Sequence, residues 1–363
     1  MSRAVRVLLV VALAVAALLP GVGAAQAGTV PTTLSSVRAA QVGPVSPGFP
    51  IDAVGVTWED RPGHDGHGDH AEEFGAVRFR TDGTWGDWTP FGEDGAQAHG
   101  SFGTSLVAGD DADAYQVRGV PAWAEVVALN TTDGPAREVR QRPAGAADAM
   151  TNCWSRYDWG ADESLLPTTE RAFAPVQVLT VHHTGESAHA SGDPAAWVRS
   201  IYEYHLSRGW DDIGYQYLVG PGGELFEGRR SDVDSEACQS DPDGDGVLGD
   251  GADFAHDATD QLVTAAHTGG YNTGNAGVSV LGDYRTAVPT AASRQALVDV
   301  LAHLAGRHGL VVANDDTGKV HYDNGTNAKT VYSISMHKDF VATECPGGSL
   351  EADMPALRDD VAL

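Results

Sequence analysis

Apolar and polar residues follow two different rhythms along this chain. Between residues 51 and 130 the apolar positions come in short β-branched and aromatic runs. One of these, Ala76-Val77-Arg78-Phe79-Arg80, is followed by a hairpin signal at Asp82-Gly83 and then by Trp85, Trp88 and Phe91. That rhythm predicts a small all-β domain, delimited here as residues 28–132. From Asp133 to Met150 the chain is rich in Ala, Gly, Pro and Arg without apolar periodicity, which predicts a linker over 133–150. Beyond it the pattern changes. Pro175 to Val181 reads as a buried strand, and Asp193-Pro194 supplies an N-cap followed by proline at the first helical position. Trp197, Ile201 and Tyr204 or His205 recur at helical spacing up to Gly209, giving that helix one apolar face. Tyr215 to Val219 and Gly277 to Leu281 read as further strands, and Leu297, Leu301, Leu304 and His308 mark a second helix. Residues 151–363 are therefore expected to form an α/β domain, a central mixed β-sheet flanked by helices, with the smaller all-β domain before it.

The chain start adds a destination. Arg3 and Arg6 precede an apolar stretch from Val7 to Leu19, and Ala25-Gln26-Ala27 has the small residues of a cleavage site, so residues 1–27 read as a signal peptide. The apolar run is short for a membrane span, and no later stretch reaches ~18 consecutive apolar residues, so no membrane anchor is expected after cleavage. The expected location is extracellular or in the cell wall. A formal net charge of -27 argues against nucleic acid as a partner, because phosphate binding needs concentrated Lys and Arg. Three cysteines, Cys153, Cys238 and Cys345, are an odd number for an exported chain, so one must be free, intermolecular or bound to metal.

Candidate chemistry gathers near the C-terminus, where His337 and Cys345 stand eight positions apart. That pair alone is a weak signal. Its weight rises because Val181-His182-His183-Thr184 ends the first strand of the α/β region, where a side chain emerges toward solvent or a cleft. Two histidines and one thiolate leave a fourth zinc position open, as in catalytic rather than structural sites. Strand alternation sends His182 and His183 to opposite faces without saying which meets the metal.

Several blocks then match a known family together. Arg156-Tyr157-Asp158-Trp159-Gly160-Ala161, Leu179-Thr180-Val181-His182-His183-Thr184, Gly209-Trp210-Asp211-Asp212-Ile213-Gly214-Tyr215, Leu225-Phe226-Glu227-Gly228-Arg229, Ala266-His267-Thr268-Gly269-Gly270-Tyr271-Asn272 and His337 to Pro346 stand in order. Over residues 153 to 355 the chain resembles the peptidoglycan recognition protein and type 2 N-acetylmuramoyl-L-alanine amidase family. The resemblance implies a zinc hydrolase with His182, His337 and Cys345 as ligands. It implies Tyr215 and Thr343 as catalytic residues, and His267 and Asn272 as groove residues that meet the muramyl-peptide. The implied partner is peptidoglycan or its muropeptides. The alternative is a non-catalytic peptidoglycan-binding protein, since many relatives recognise the polymer without cutting it; the presence of all three candidate ligands favours the enzyme.

Departures from the family pattern are equally legible. Between Arg229 and Ala266 the chain is longer than usual and rich in aspartate. Asp241, Asp243 and Asp245 followed by Gly246 reproduce the first half of an EF-hand-type calcium loop, but the twelfth position is Ala252, so calcium and a plain acidic loop are both open. With Cys345 taken as a zinc ligand, Cys153 and Cys238 are left as an even pair that an oxidising compartment would join in a disulfide. Arg230-Ser231 stands where relatives often carry Gly-Trp, leaving the stem-peptide preference open. In the all-β region, His64, His67 and His70 lack a rigid framework for metal. Trp58, Trp85, Trp88 and Trp123 are candidates either for the core or for anchoring to wall polymer.

Overall fold

The computed structural model describes residues 26–59, 74–92, 101–141, 153–167, 170–186, 192–231 and 255–362. The expected signal segment up to residue 25, the loop carrying His64, His67 and His70, and the insertion with Cys238, Asp241, Asp243 and Asp245 lie outside these residues.

Six strands build the sheet of the C-terminal half: β1 (Cys153–Trp154), β2 (Val178–His183), β3 (Tyr217–Val219), β4 (Leu225–Glu227), β5 (Asn275–Val280) and β6 (Ile334–Met336). Their order is β1-β4-β3-β5-β2-β6. Only β3 and β4 are antiparallel, because the five-residue turn between them, with Gly223 at φ +85°, returns the chain directly. The other pairs are parallel and joined by longer connections. Three helices flank this mixed sheet: α1 (Pro194–Ser207), α2 (Ala291–Arg307) and α3 (Gly348–Val361).

Strand alternation sorts the side chains to two faces. Leu179, Val181, Tyr217, Val219, Val278 and Val280 pack with Leu297, Leu301 and Leu304 of α2 and Leu350, Met354 and Leu357 of α3. Leu218 and Phe226 face the other way, onto α1. The Asp193 carboxylate accepts the Ala195 N–H and Pro194 opens the first turn, so α1 starts where its cap signal lies.

Periodicity predicts one apolar face on α1, but the structure buries two. Trp197, Val198, Ile201, Tyr202 and Tyr204 share a cluster both with Leu218 and Phe226 of the sheet and with Ala53, Leu106, Val127 and Leu129 of the N-terminal region. Polar contacts fasten the second face. The Tyr204 hydroxyl donates to the Val56 carbonyl at 2.7 Å, Thr131 Oγ1 donates to the Ala196 carbonyl at 3.3 Å, and Arg199 donates to the Thr131 carbonyl at 3.4 Å. Burying a large apolar side chain is worth roughly 1.5–3 kcal/mol, so several of them on one helix make this contact a joint core.

Between residues 26 and 141 the described chain runs in strands. Ile51–Glu59 pairs with Glu125–Asn130 on one edge and with Ser101–Gly103 and Val107–Ala112 on the other, over a core that includes Ile51, Val54, Val56, Phe91 and Tyr115. One stretch differs from its sequence reading: Ala136–Gln141, expected inside the linker, is a strand paired in antiparallel register with Gln26–Pro31.

Trp58 packs against this core and stacks on Phe102, and it, Trp85, Trp88 and Trp123 are all partly exposed. Arg78 lies over both Trp85 and Trp88, at 4.9 and 4.8 Å, and Arg118 lies over Trp88 at 4.3 Å.

Candidate metal centre

Parallel neighbours deliver their C-terminal ends to the same edge of a sheet, and that rule assembles the site. In the pairing of β2 with β6, Val181 lies opposite Met336, so the next residues, His182 and His337, emerge side by side. Their ring centroids are 4.6 Å apart. A short 3-10 turn at His337–Asp339 then folds the chain back: the Asp339 carboxylate accepts the Met336 N–H at 2.9 Å and Lys338 N–H donates to the Cys345 carbonyl at 3.1 Å. The Thr343 hydroxyl oxygen accepts the Cys345 N–H at 3.1 Å. This closure brings Cys345 Sγ to 3.5 Å from His182 Nδ1.

One donor atom from each of His182, His337 and Cys345 lies within 4.8 Å of the others, and the three side chains are buried. Zinc bond lengths of ~2.05 Å to nitrogen and ~2.3 Å to sulfur place tetrahedral N and S ligands ~3.5 Å apart, so the His182–Cys345 spacing fits that ion. His183 N–H points at Cys345 Sγ from 3.4 Å, and Sγ lies 3.8 Å from the His183 carbonyl.

The structure also separates the two adjacent histidines. His183 Nδ1 accepts the Tyr284 N–H at 3.1 Å and lies 4.0 Å from Asp283, away from the donor cluster.

Behind His182 lies a hydrogen-bonded chain that fixes its tautomer. His267 Nε2 faces the Asn275 carbonyl at 3.0 Å and can only donate to it. Burial pushes the His267 pKa down to about 4, so the ring is neutral and its Nδ1 is an acceptor. His182 Nε2–H therefore donates to His267 Nδ1 at 2.9 Å, which leaves the Nδ1 lone pair of His182 facing Cys345. Thr268 Oγ1 also lies 2.9 Å from His267 Nδ1. Gly277 makes room for this: a Cβ there would stand 2.6 Å from Cγ and Cδ2 of the His267 ring.

His267 and Asn272, expected in a substrate groove, both take hydrogen-bonding positions behind the donor cluster. His267 is completely buried behind His182, and the Asn272 side-chain oxygen accepts the N–H groups of His267 and Thr268 at 2.9 and 2.7 Å. Tyr215 packs its ring 5.4 Å from His182 and is itself buried, held from behind by His205, whose Nδ1 accepts the Gly214 N–H at 3.0 Å. Thr343 is partly exposed and lines a small cavity with His183, Arg285 and Cys345.

Three contributors were not legible in the sequence. Gly92 joins the Thr343 cavity, and Leu106 lines a second one with Glu186, His205 and Tyr215, so the N-terminal β-rich region walls the centre on two sides. Glu186 is a buried carboxylate beside Tyr215 and His205. A larger pocket of about 240 Å³ is lined by Arg171 and Arg229 together with Glu170, Asp211 and Asp212; the Arg229 N–H donates to the Tyr215 carbonyl at 2.7 Å, tying that pocket to the centre.

Residues 172–348 match the family model Amidase_2, N-acetylmuramoyl-L-alanine amidase. That match takes in just under half of the chain. It is 31% identical over 180 residues to the N-acetylmuramoyl-L-alanine amidase of Homo sapiens, an alignment covering 48% of this chain and 23% of the human protein. The match to the amidase of Sus scrofa is 30% over 180 residues. The chain spans less than a quarter of the length of these two mammalian relatives. Peptidoglycan-recognition protein LB of Drosophila melanogaster is 26% identical over 224 residues, 61% of this chain and 75% of that protein. Among solved structures, wild-type Drosophila PGRP-LB is similar at 25% identity and a TM-score of 0.37, covering 56% of this chain and 92% of that one.

Proposed function

We propose that this Amidase_2 chain is an exported, zinc-dependent N-acetylmuramoyl-L-alanine amidase, hydrolysing the amide between N-acetylmuramic acid and L-alanine in peptidoglycan. The observation that carries the reading is the convergence of His182, His337 and Cys345 at one sheet edge. A protein that only recognised peptidoglycan would need no such set of soft donors, and this distinguishes the reading from pure binding.

The three side chains would hold the ion, leaving one position for chemistry. What zinc supplies when bound is Lewis acidity, toward water and toward an amide carbonyl. The rest falls to the chain. His267 holds His182 in the tautomer that presents Nδ1. Tyr215, packed against His182, is proposed to donate its phenolic hydrogen bond to the carbonyl oxygen as negative charge develops there. Thr343 keeps Cys345 in place through its N–H and is proposed to orient the attacking water. The pocket with Arg171, Arg229, Asp211 and Asp212 offers both signs of charge, as a zwitterionic stem peptide requires.

Mass spectrometry of muropeptides after digestion, with and without a chelator, reports the bond cleaved and its metal dependence. Cys345→Ser replaces the soft thiolate with a neutral hydroxyl of similar shape. The variant should still sediment with purified peptidoglycan and release no stem peptides. Full release by the zinc-free variant overturns the mechanism, and an inactive zinc-loaded parent assigns the chain to recognition.

A further inference from the structure

Away from the reaction centre, a second group of metal donors sits where the loop after the aspartate-rich insertion meets the end of α2. His256 Nε2 and His308 Nε2 stand 2.9 Å apart, with rings stacked 25° from parallel. An Asp260 oxygen completes a trio whose donor atoms all lie within 4.8 Å of one another. We propose that His256, His308 and Asp260 form a second site for a divalent transition metal of the zinc class, separate from the catalytic reading.

Each donor is on a stiff support. His256 belongs to a tight hairpin in which Asp257 N–H donates to the Gln261 carbonyl at 2.9 Å and Val263 N–H to the Ala255 carbonyl at 2.8 Å. Within it the Asp257 carboxylate accepts the N–H groups of Thr259 and Gln261, and Asp260 takes a left-handed φ of +65°. His308 caps α2, its own N–H donating to the Leu304 carbonyl at 3.1 Å. Arg307 grips one Asp260 oxygen at 2.6 Å, which leaves the other 4.0 Å from His308 Nδ1.

The chemistry of the trio selects the ligand class. Two imidazoles and one carboxylate suit zinc and its neighbours in the transition series and are a poor match for calcium, which wants oxygen throughout. Two nitrogens at the tetrahedral angle and ~2.05 Å from one ion are ~3.3 Å apart, so the hydrogen-bonded pair, 2.9 Å apart here, need open by only a few tenths of an ångström to take an ion. His256 is buried while Asp260 is exposed, so an ion can enter from the carboxylate side and complete its coordination with water. An ion there would pin the hairpin that leads, through Leu262 and Val263, into the segment carrying His267.

The test counts ions. The full chain is stripped with a chelator, desalted and titrated with zinc chloride, and bound zinc per chain is measured by mass spectrometry of the metal. Two ions are expected in the parent, one in His308→Gln, one in Cys345→Ser and none in the double variant. Retention of two by His308→Gln, or a parent that binds only one and keeps it in His308→Gln, overturns the proposal. Should His308→Gln not fold, Asp260→Asn is the milder change, altering an exposed loop carboxylate and its surface pair with Arg307. It should weaken the second zinc at least tenfold without moving the metal-free melting temperature, and unaltered affinity overturns the assignment. Because Cys345→Ser removes the other ion, failure here is distinct from failure of the amidase reading.

Discussion

His267→Phe tests the buried histidine chain. The ring of His267 is seated over Gly277 with no room for a Cβ there, and phenylalanine keeps a planar ring in that slot. What it removes is the acceptor for His182 Nε2–H, now bonded at 2.9 Å. His182 must then bury an unsatisfied N–H, at about 1–3 kcal/mol, or move its proton to Nδ1, where it opposes metal binding. Loss of a partner behind a metal-ligating histidine typically weakens the metal 10- to 100-fold, about 1.4–2.7 kcal/mol, and the two magnitudes agree. The Asn275 carbonyl also loses a donor but keeps the Gln216 amide at 3.3 Å, so collapse of the fold is not expected. Competition against a chromophoric zinc chelator, in the His308→Gln background so that one site is read, should show zinc Kd raised 10- to 100-fold. A Kd within twofold of the parent, with the metal-free melting temperature unchanged, would refute the tautomer argument.

Two further outcomes follow from residues outside the centre. Burial raises the Glu203 pKa from 4.5 to about 7, so ionising it costs the folded state stability; the cost is absent below pH 4.5, grows between 4.5 and 7 and is full above. Glu203→Gln should therefore raise the melting temperature at pH 8, by the equivalent of about 1–2 kcal/mol given the partial exposure of the site, and should not do so near pH 4.5. A gain that is flat across that range would show that ionisation is not the cause. For the proposed disulfide, peptide mapping under non-reducing conditions should yield a fragment linking Cys153 to Cys238, and two alkylatable thiols in protein from an oxidising compartment would exclude it.

Sequence patterning reached three strands of the sheet, the start of α1 and the apolar face of α2 because those depend on local periodicity and caps. It reached the His182, His337 and Cys345 set only through a family resemblance: His337 and Cys345 are eight residues apart, but His182 joins them through the β2–β6 register, which no local pattern encodes. Alternation could not choose between His182 and His183, since both occupy β2 and both are buried. His267 and Asn272 were expected in the groove only through the family resemblance, which says nothing of burial. What buries His267 is the missing Cβ at Gly277 on a neighbouring strand. The ribbon strand Ala136–Gln141 escaped notice for the same reason, its partner being about 110 residues away in the chain.

The joint core on α1 has a consequence for how this chain can vary. A helix that serves a sheet on one side and a foreign β-layer on the other has no free face on which substitutions can drift. Gly55 shows how tight the fit is: a Cβ there would stand 2.8 Å from the Tyr204 ring. Changes at positions such as Tyr204 and Thr131 should therefore be inherited together with changes at Val56 and Ser200, across gaps of up to 148 residues. Exchanging the N-terminal region for another module would expose Trp197 and Tyr204 and remove the wall that Gly92 and Leu106 give the metal centre. The two halves of this protein are thus expected to evolve as one object, inseparable by simple shuffling at the segment that joins them.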